Sequence, residues 1–329
     1  MNYFNRFFGA PAIRVTFLWL MLGMGCAMAQ TYPDKAIPLK IVVPFGPGSS
    51  SDVIARAFGR AISEVSGLHV IVDNKPGADT VIGIQSVLNG AADGNTLLLV
   101  SSSTTVLNPL MVPNQPFDML RDFVPLVAIA KNSPAFNLGP STPFKSVREF
   151  VAAAKARPGK YTYGSASTTS LLAGQLLEAR TGIEMLNVPY KTTTAALTAL
   201  AGGEVDLVLV DISNVKSLQE AGRVRALAVG APARLSGLPQ LPTMIEEGVP
   251  DYQITSWFGT YFINRTSSEK VAAMREILRK AVKSQAYIDA LTKVNLEPFD
   301  LIGEDLTALA KAEIAIYGKI IRAPKAQSK

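Results

Sequence analysis

The sequence predicts an α/β protein of two lobes, each a mostly parallel sheet flanked by helices, with two crossing strands as a hinge. Three observations lead there. Short apolar runs alternate with amphipathic ones in β-α order, which builds a parallel sheet covered on both faces. That alternation starts over in the second half of the chain. The 329 residues also exceed what one hydrophobic core usually supports.

Taken in order, Ile41–Val43, Val70–Val72 and Leu97–Val100 read as buried strands, bounded by Pro, Gly, Asp or Ser. Between them, Val53–Val65 and Val81–Leu88 place apolar residues at helical spacing. The second unit begins with a helix at Val147–Ala154, stopped by Arg157-Pro158-Gly159. It continues with strand Tyr161–Tyr163, helix Leu171–Arg180, strand Met185–Val188, helix Ala195–Ala201 and strands Val205–Val210 and Val224–Val229. Pro239 and Pro242 mark a connection back, followed by the strand-like Trp257–Ile263. Helices at Glu269–Ser284 and Glu304–Ile320 close the chain and are expected to return to the first lobe. The second lobe, 129–252, is then an insertion into a first lobe made of 30–128 and 253–329. The crossings are expected near Leu126–Ala130 and Ile254–Tyr261.

Residues 1–29 read as an address. Arg6 and Arg14 precede the apolar run Val15–Leu22, and Ala27-Met28-Ala29 forms an A-x-A site before Gln30. The run falls short of the roughly 18 residues a spanning helix needs, so a cleaved secretory signal is expected, with export to the periplasm. Lipid attachment at Cys26 is the weaker alternative, because Gly23-Met24-Gly25 is a poor lipobox. Cys26 is the single cysteine, so cleavage after Ala29 leaves no disulfide, thiol nucleophile or thiolate metal site. The formal charge of +6 falls to +4, since the removed part carries two arginines and no acid. No Lys/Arg run marks nucleic-acid binding.

Two loops carry the functional signal. Strand Ile41–Val43 leads through Pro44, Phe45, Gly46, Pro47, Gly48, Ser49, Ser50 and Ser51 to a helix. Strand Tyr161–Tyr163 leads through Gly164, Ser165, Ala166, Ser167, Thr168, Thr169 and Ser170 to another. Each sets small residues where a strand ends and a helix begins, a place with unpaired N–H groups and the positive end of the helix dipole. Ser and Asp are also ordinary helix caps, so either loop alone is weak; one on each lobe is more telling. The glycines match neither phosphate fingerprint. Ser101, Ser102, Ser103 and Thr104 follow strand Leu97–Val100 and are candidates for the same cleft. Asp211 ends the strand Val205–Val210 and either orients a polar ligand group or caps a helix. Lys191 is a solvated lysine or a source of positive charge.

The catalytic inventory is poor. His69 is the single histidine, and no G-x-S-x-G elbow exists. A metal site built on His and Cys is excluded. The expectation is a binding protein without cofactor, not an enzyme.

Val43-Pro44-Phe45-Gly46-Pro47-Gly48 with Ser51-Asp52 resembles the opening motif of the Bug family, the substrate-binding proteins of tripartite tricarboxylate transporters. Further matches run in order along the chain: Val72-Asp73-Asn74-Lys75-Pro76-Gly77-Ala78, Ala92-Asp93-Gly94-Asn95-Thr96-Leu97-Leu98, Val188-Pro189-Tyr190-Lys191, Gly202-Gly203-Glu204-Val205-Asp206 and Ser256-Trp257-Phe258-Gly259. The resemblance implies a two-lobe periplasmic binding protein of the Venus-flytrap type. It implies a monomer holding one small carboxylate (a di- or tricarboxylate, an aromatic acid or an acidic amino acid), mainly through backbone amides and hydroxyls. By the matching motifs it carries over Pro44–Ser50, the 101–104 turn, Ser165–Ser170 and Asp211. Its partner is expected to be a membrane permease of the tripartite tricarboxylate type, or, for an orphan sensor, a receptor kinase. Four departures stand out: Ser49-Ser50-Ser51 replaces a glycine-rich segment, Leu171 a frequent histidine, Gln175 a frequent acid, and Thr192 a small residue. Each touches the expected ligand region, so the substrate is not inherited.

Overall fold

A computed structural model of the chain describes residues 32–78, 80–112 and 114–322. The signal segment expected at 1–29 and the tail Pro324–Lys329 lie outside the described residues. In chain order the elements are β1 (Leu39–Val43), α1 (Ser50–Ser66), β2 (Val70–Asn74), α2 (Val81–Leu88) and β3 (Thr96–Ser101). A wide turn at Ser103–Leu107 leads to α3 (Asn108–Met111), α4 (Met119–Asp122), β4 (Phe123–Asn132) and β5 (Pro134–Leu138). The second unit holds α5 (Val147–Ala156), β6 (Thr162–Ser165), α6 (Thr168–Thr181), β7 (Leu186–Pro189), α7 (Thr193–Gly202), β8 (Leu207–Asp211), α8 (Lys216–Glu220) and β9 (Arg225–Val229). The chain returns through β10 (Ser256–Ile263), α9 (Ser268–Val282), α10 (Gln285–Thr292), β11 (Glu297–Ile302) and α11 (Gly303–Arg322).

These strands form two sheets, ordered β11-β4-β10-β3-β1-β2 and β7-β6-β8-β5-β9. Both are mixed, which corrects the expectation of mostly parallel sheets. The βαβ pairs β1–β2, β1–β3, β6–β7 and β6–β8 are parallel. The strands that travel between lobes enter the opposite way, so β10 pairs antiparallel with β3 and β4, and β5 with β8 and β9. Strand β4 stays in the first sheet through Asn132 rather than leaving it at residue 128, and only Ser133 separates it from β5.

Alternation explains why the first sheet needs cover on both faces. Ile41, Val43, Leu97 and Leu99 face one apolar layer with Ile54, Phe58 and Ile62 of α1 and Met274 and Leu278 of α9. Val42, Leu98 and Val100 face the other layer with Ile84 and Val87 of α2 and Leu306 and Ala310 of α11. The second sheet repeats the pattern: Leu207 and Leu209 join this second layer, while Val208 and Val210 pack beneath α7. One apolar layer therefore runs from lobe to lobe along the hinge side, through Tyr252, Trp257 and Tyr317.

The hinge itself is polar. Ser133 Oγ lies 3.3 Å from Thr255 Oγ1, joining the two crossings. Gly230 N–H donates to the Pro134 carbonyl at 2.8 Å, and Ile254 N–H to the Gly230 carbonyl at 3.0 Å.

Helix α2 supports the first loop by close approach at a glycine. A Cβ on Gly83 would sit 2.6 Å from Pro44 Cβ and 2.8 Å from both Pro44 Cα and the Lys75 carbonyl oxygen. None of these atoms is the end of a flexible side chain. Gly83→Ala is expected to lower unfolding free energy by about 1–3 kcal/mol in urea titrations, as overpacking does; an unchanged midpoint would contradict this close packing.

Candidate functional site

At the first loop, Ser49 is the N-cap of α1, extended at φ −67°, ψ 160°, and its Oγ accepts from Asp52 N–H at 3.3 Å. The loop is locked from behind. Asp52 accepts Gly48 N–H at 2.9 Å and is forked by Arg56, whose Nε and Nη2 reach its two oxygens at 3.1 and 2.9 Å. Arg56 also donates to Asn74 Oδ1, and Asn74 Nδ2 holds the Phe45 carbonyl at 3.1 Å. Burial raises the Asp52 pKa, but bonds from Arg56, Gly48 and Asn74 outweigh it and hold the carboxyl below its ordinary value. The Ser-Asp pair is therefore loop architecture: Gly48, at φ +79°, turns its amide onto Asp52.

The second loop repeats the device with different atoms. Ser167 is the N-cap of α6, and its Oγ accepts from Ser170 N–H at 3.2 Å. Ser170 Oγ in turn accepts the Ala166 and Ser167 amides, each at 3.0 Å. In both helices the cap satisfies the third amide. The first two amides, Ser50 and Ser51 in α1 and Thr168 and Thr169 in α6, have no intrahelical acceptor.

Both helix starts open on one cavity of about 290 Å³ between the lobes. Of the residues expected at the site, Phe45, Ser49, Ser50, Ser101, Ser103, Ser167, Thr169, Ser170 and Asp211 line it. Pro44 is instead buried against α2. Gly48 faces a neighbouring cavity, while Gly46 and Thr168 lie off both walls. Ser102 Oγ accepts from Trp257 N–H at 3.3 Å, Thr104 is fully buried, and Ser165 donates to Asn187 Oδ1 at 2.7 Å. Ala166 supplies only its capped amide. Within the 101–107 segment, Asn108 N–H reaches back to the Ser103 carbonyl. This wide bonding brings Ser101 and Ser103 to the same side, their hydroxyls 2.7 Å apart.

The wall also holds Ser51 of the first loop and residues the sequence reading missed, among them Asn132, Pro134, Thr193, Asn214, Ser256 and Phe258. Asn132 and Ser256 sit opposite each other on β4 and β10. A signal was present: Asn132-Ser133-Pro134 is a strand breaker inside an apolar run.

Residues 54–325 match the tripartite tricarboxylate transporter family receptor. The chain belongs to this family. It is 31% identical over 307 residues to the protein BugT of Bordetella pertussis, covering 92% of this chain and 93% of BugT. Among solved structures, an R. palustris protein with adipate is 30% identical at TM-score 0.76, over 89% of this chain and 98% of that one. A TctC solute-binding protein from Polaromonas, without ligand, is 29% identical at TM-score 0.74, over 88% and 99%. The Bug resemblance and the two-lobe fold it implied are thereby established. The family is one of periplasmic solute-binding receptors, and its role is capture rather than catalysis.

In this receptor Asp211 stands out electrostatically. It ends β8 with its carboxylate toward the cleft, and Asn132 Nδ2 donates to Oδ2 at 2.6 Å, joining the lobes. Desolvation by burial pushes its carboxyl up to about 6. An unfolded aspartate titrates near about 3.9, so between about pH 4 and 6 the folded receptor binds the extra proton. Stability from this residue is then present at low pH and lost as pH rises through about 6. Asp211→Asn is expected to be more stable than the parent by about 1–3 kcal/mol at pH 7.5, with the gain shrinking toward pH 4. Denaturant titrations at several pH values measure this; a difference independent of pH would contradict it.

Proposed function

We infer that this receptor captures a small carboxylate in the interlobe cavity and delivers it to a membrane permease of the tripartite tricarboxylate type. The observation that carries the reading is the pairing of two helix starts, one per lobe, that open on one cavity lined by serine and threonine hydroxyls, each with two amides that have no intrahelical acceptor. Such amides suit an anion, and the hydroxyls tolerate different ligand skeletons. The R. palustris relative solved with adipate supports a carboxylate. The signal segment at residues 1–29, with Gln30 as the mature N-terminus, supports release to the periplasm.

Magnitudes call for both lobes. A helix dipole favours an exposed anion by about 0.3–1 kcal/mol, and a hydrogen bond to a charged group contributes about 1.5–3 kcal/mol. Micromolar binding takes about 8 kcal/mol. One loop with two amides falls short, and four amides from two loops reach the range once water is excluded. Asp211 is neutralised or hydrogen-bonded in the closed state; a ligand hydroxyl or ammonium suits its free oxygen.

The amides can be deleted one at a time. Proline at the first helical position keeps the helix while removing its N–H, and the preceding residue must be extended. Ser49 at ψ 160° and Ser167 at ψ 163° already are. Ser50→Pro and Thr168→Pro are each expected to weaken carboxylate binding by about tenfold or more in calorimetry. Their melting temperatures should stay near the parent's, and Ser50→Ala should bind far better than Ser50→Pro. Parental affinity in both proline variants would show that these amides do not hold the ligand.

A further inference from the structure

Part of the cavity wall is held from the hinge side. Along β10, Ser256 and Phe258 line the cavity, and Trp257 between them points the opposite way, into the apolar layer that spans the lobes. The same strand holds the wide turn at two places. Trp257 N–H donates to Ser102 Oγ at 3.3 Å, and Tyr261 Oη lies 3.4 Å from Thr105 Oγ1. Ser101 and Ser103, on either side of Ser102, line the cavity. The wall on both β10 and the turn therefore depends on where Trp257 sits.

The Trp257 ring has a polar partner at its far edge. Its Nε1 donates to Glu313 Oε2 of α11 at 2.9 Å. Tyr261 and Tyr317 both feel the Glu313 charge, and Tyr317 in turn lies near Tyr252, whose hydroxyl donates to the Ala173 carbonyl of α6 in the second lobe. Among the described residues Glu313 is in no ion pair. The wide turn, α3 and β10 carry no Lys, Arg, Asp or Glu. Charges on the other elements around α11 are engaged elsewhere: Lys131 with Glu297, Asp300 with Arg279 and Lys283, and Arg275 with the Pro125 carbonyl. On α6, Arg180 is exposed and Glu178 accepts the Met185 amide. On α11 itself Glu304, Asp305, Lys311 and Lys319 are exposed.

Burial pushes the Glu313 carboxyl up to about 7, against the opposing Trp257 bond. An unfolded glutamate titrates at about 4.3. With the folded value raised, stability from this residue is fully present at acid pH and is lost as pH rises through about 7.

Resting on the ligand site described above, we propose that Glu313 is a positioning residue for the cleft: its neutral side chain anchors Trp257, and through it the strand and turn behind the ligand, and its ionisation loosens that wall. The neutral acid accepts from Nε1 without burying a charge. The carboxylate has no ion pair to offset its burial and is drawn to water, which leaves a buried Nε1–H without an acceptor. Ligand affinity then falls as pH rises, through a group that touches no ligand.

The mature receptor offers a direct reading. Trp19 lies in the segment 1–29, so a chain starting at Gln30 has Trp257 as its single tryptophan. Its fluorescence is expected to titrate with a midpoint at about pH 7. The transition should vanish in Glu313→Gln, whose amide oxygen accepts from Nε1 but takes no charge. Calorimetry uses succinate, adipate, citrate, benzoate and glutamate as probes and follows the tightest binder. Parent affinity is expected to fall about fivefold or more from about pH 6 to 8.5, while Glu313→Gln stays nearly level. Glu313→Ala should bind weakly throughout, so that Gln rescues what Ala loses. Asp211 adds a pH response common to the parent and Glu313→Gln, and the difference between their profiles belongs to Glu313. Parallel profiles in those two proteins, or a Trp257 signal that is flat through pH 7, would overturn the positioning role and leave the carboxylate reading standing. Binding of no acid in the set would overturn the carboxylate reading, and the control of affinity with it.

Discussion

Four backbone amides at two helix starts must find an acceptor, and that constraint organises the cleft. Serine caps at positions 49 and 167 satisfy the third amide of each helix and leave Ser50, Ser51, Thr168 and Thr169 donors pointed away from the helix. Water satisfies them when the lobes are apart. As the lobes approach, water is excluded, and a buried donor without a partner costs about 1–3 kcal/mol. An anion between the loops answers both sets at once. On the proposed reading closure and capture are two views of one event, and small side chains let a ligand reach backbone atoms.

The remaining architecture holds those two helix starts in place within each lobe. The Asp52–Arg56–Asn74 network fixes the first loop from behind, and Ser170 fixes the second. At the opposite side of the hinge, one apolar layer spans both lobes. Trp257 is its anchor: its backbone N–H meets Ser102 and its Nε1 donates to Glu313 at 2.9 Å. Burial pushes the Glu313 carboxyl up to about 7, against the opposing effect of the Trp257 bond. The apolar side joins the lobes, and the polar side faces the cavity. Asn132 links them across the cleft through Asp211, so the hinge strand itself takes part in the cavity wall.

Much of this was legible in the sequence because it is encoded locally. Ser49 and Ser167 announce helix starts, and apolar alternation at Ile41–Val43 and Leu97–Val100 announces strands buried on both faces. Helix α2 and strand β9 match the residues read from periodicity nearly end to end. Local pattern failed where long-range pairing decides. Strand β5 and strand β11 were not read, since Pro134 and Pro298 argue against strands until the sheet edge or crossing that tolerates them is known. The antiparallel entry of the crossing strands is topology, which no window of residues contains. At the site, the loops were legible from their small residues between the end of a strand and the start of a helix. Asn132, Ser256 and Asn214 lie on segments remote from both loops and meet them only through the fold. Thr104 and Ser102 share the polar character of Ser101 and Ser103, but the wide turn directs them into the protein.

The central claim is that one ligand joins amides from both lobes, which demands compaction on binding. Small-angle scattering of the mature receptor, with and without a saturating carboxylate whose binding is verified calorimetrically, measures this most directly. The account predicts a smaller radius of gyration with ligand. It also predicts that the Ser50→Pro, Thr168→Pro double variant stays at the unliganded value at the same concentration. Tight binding with an unchanged radius of gyration would contradict it, because the ligand would then be held by one lobe alone.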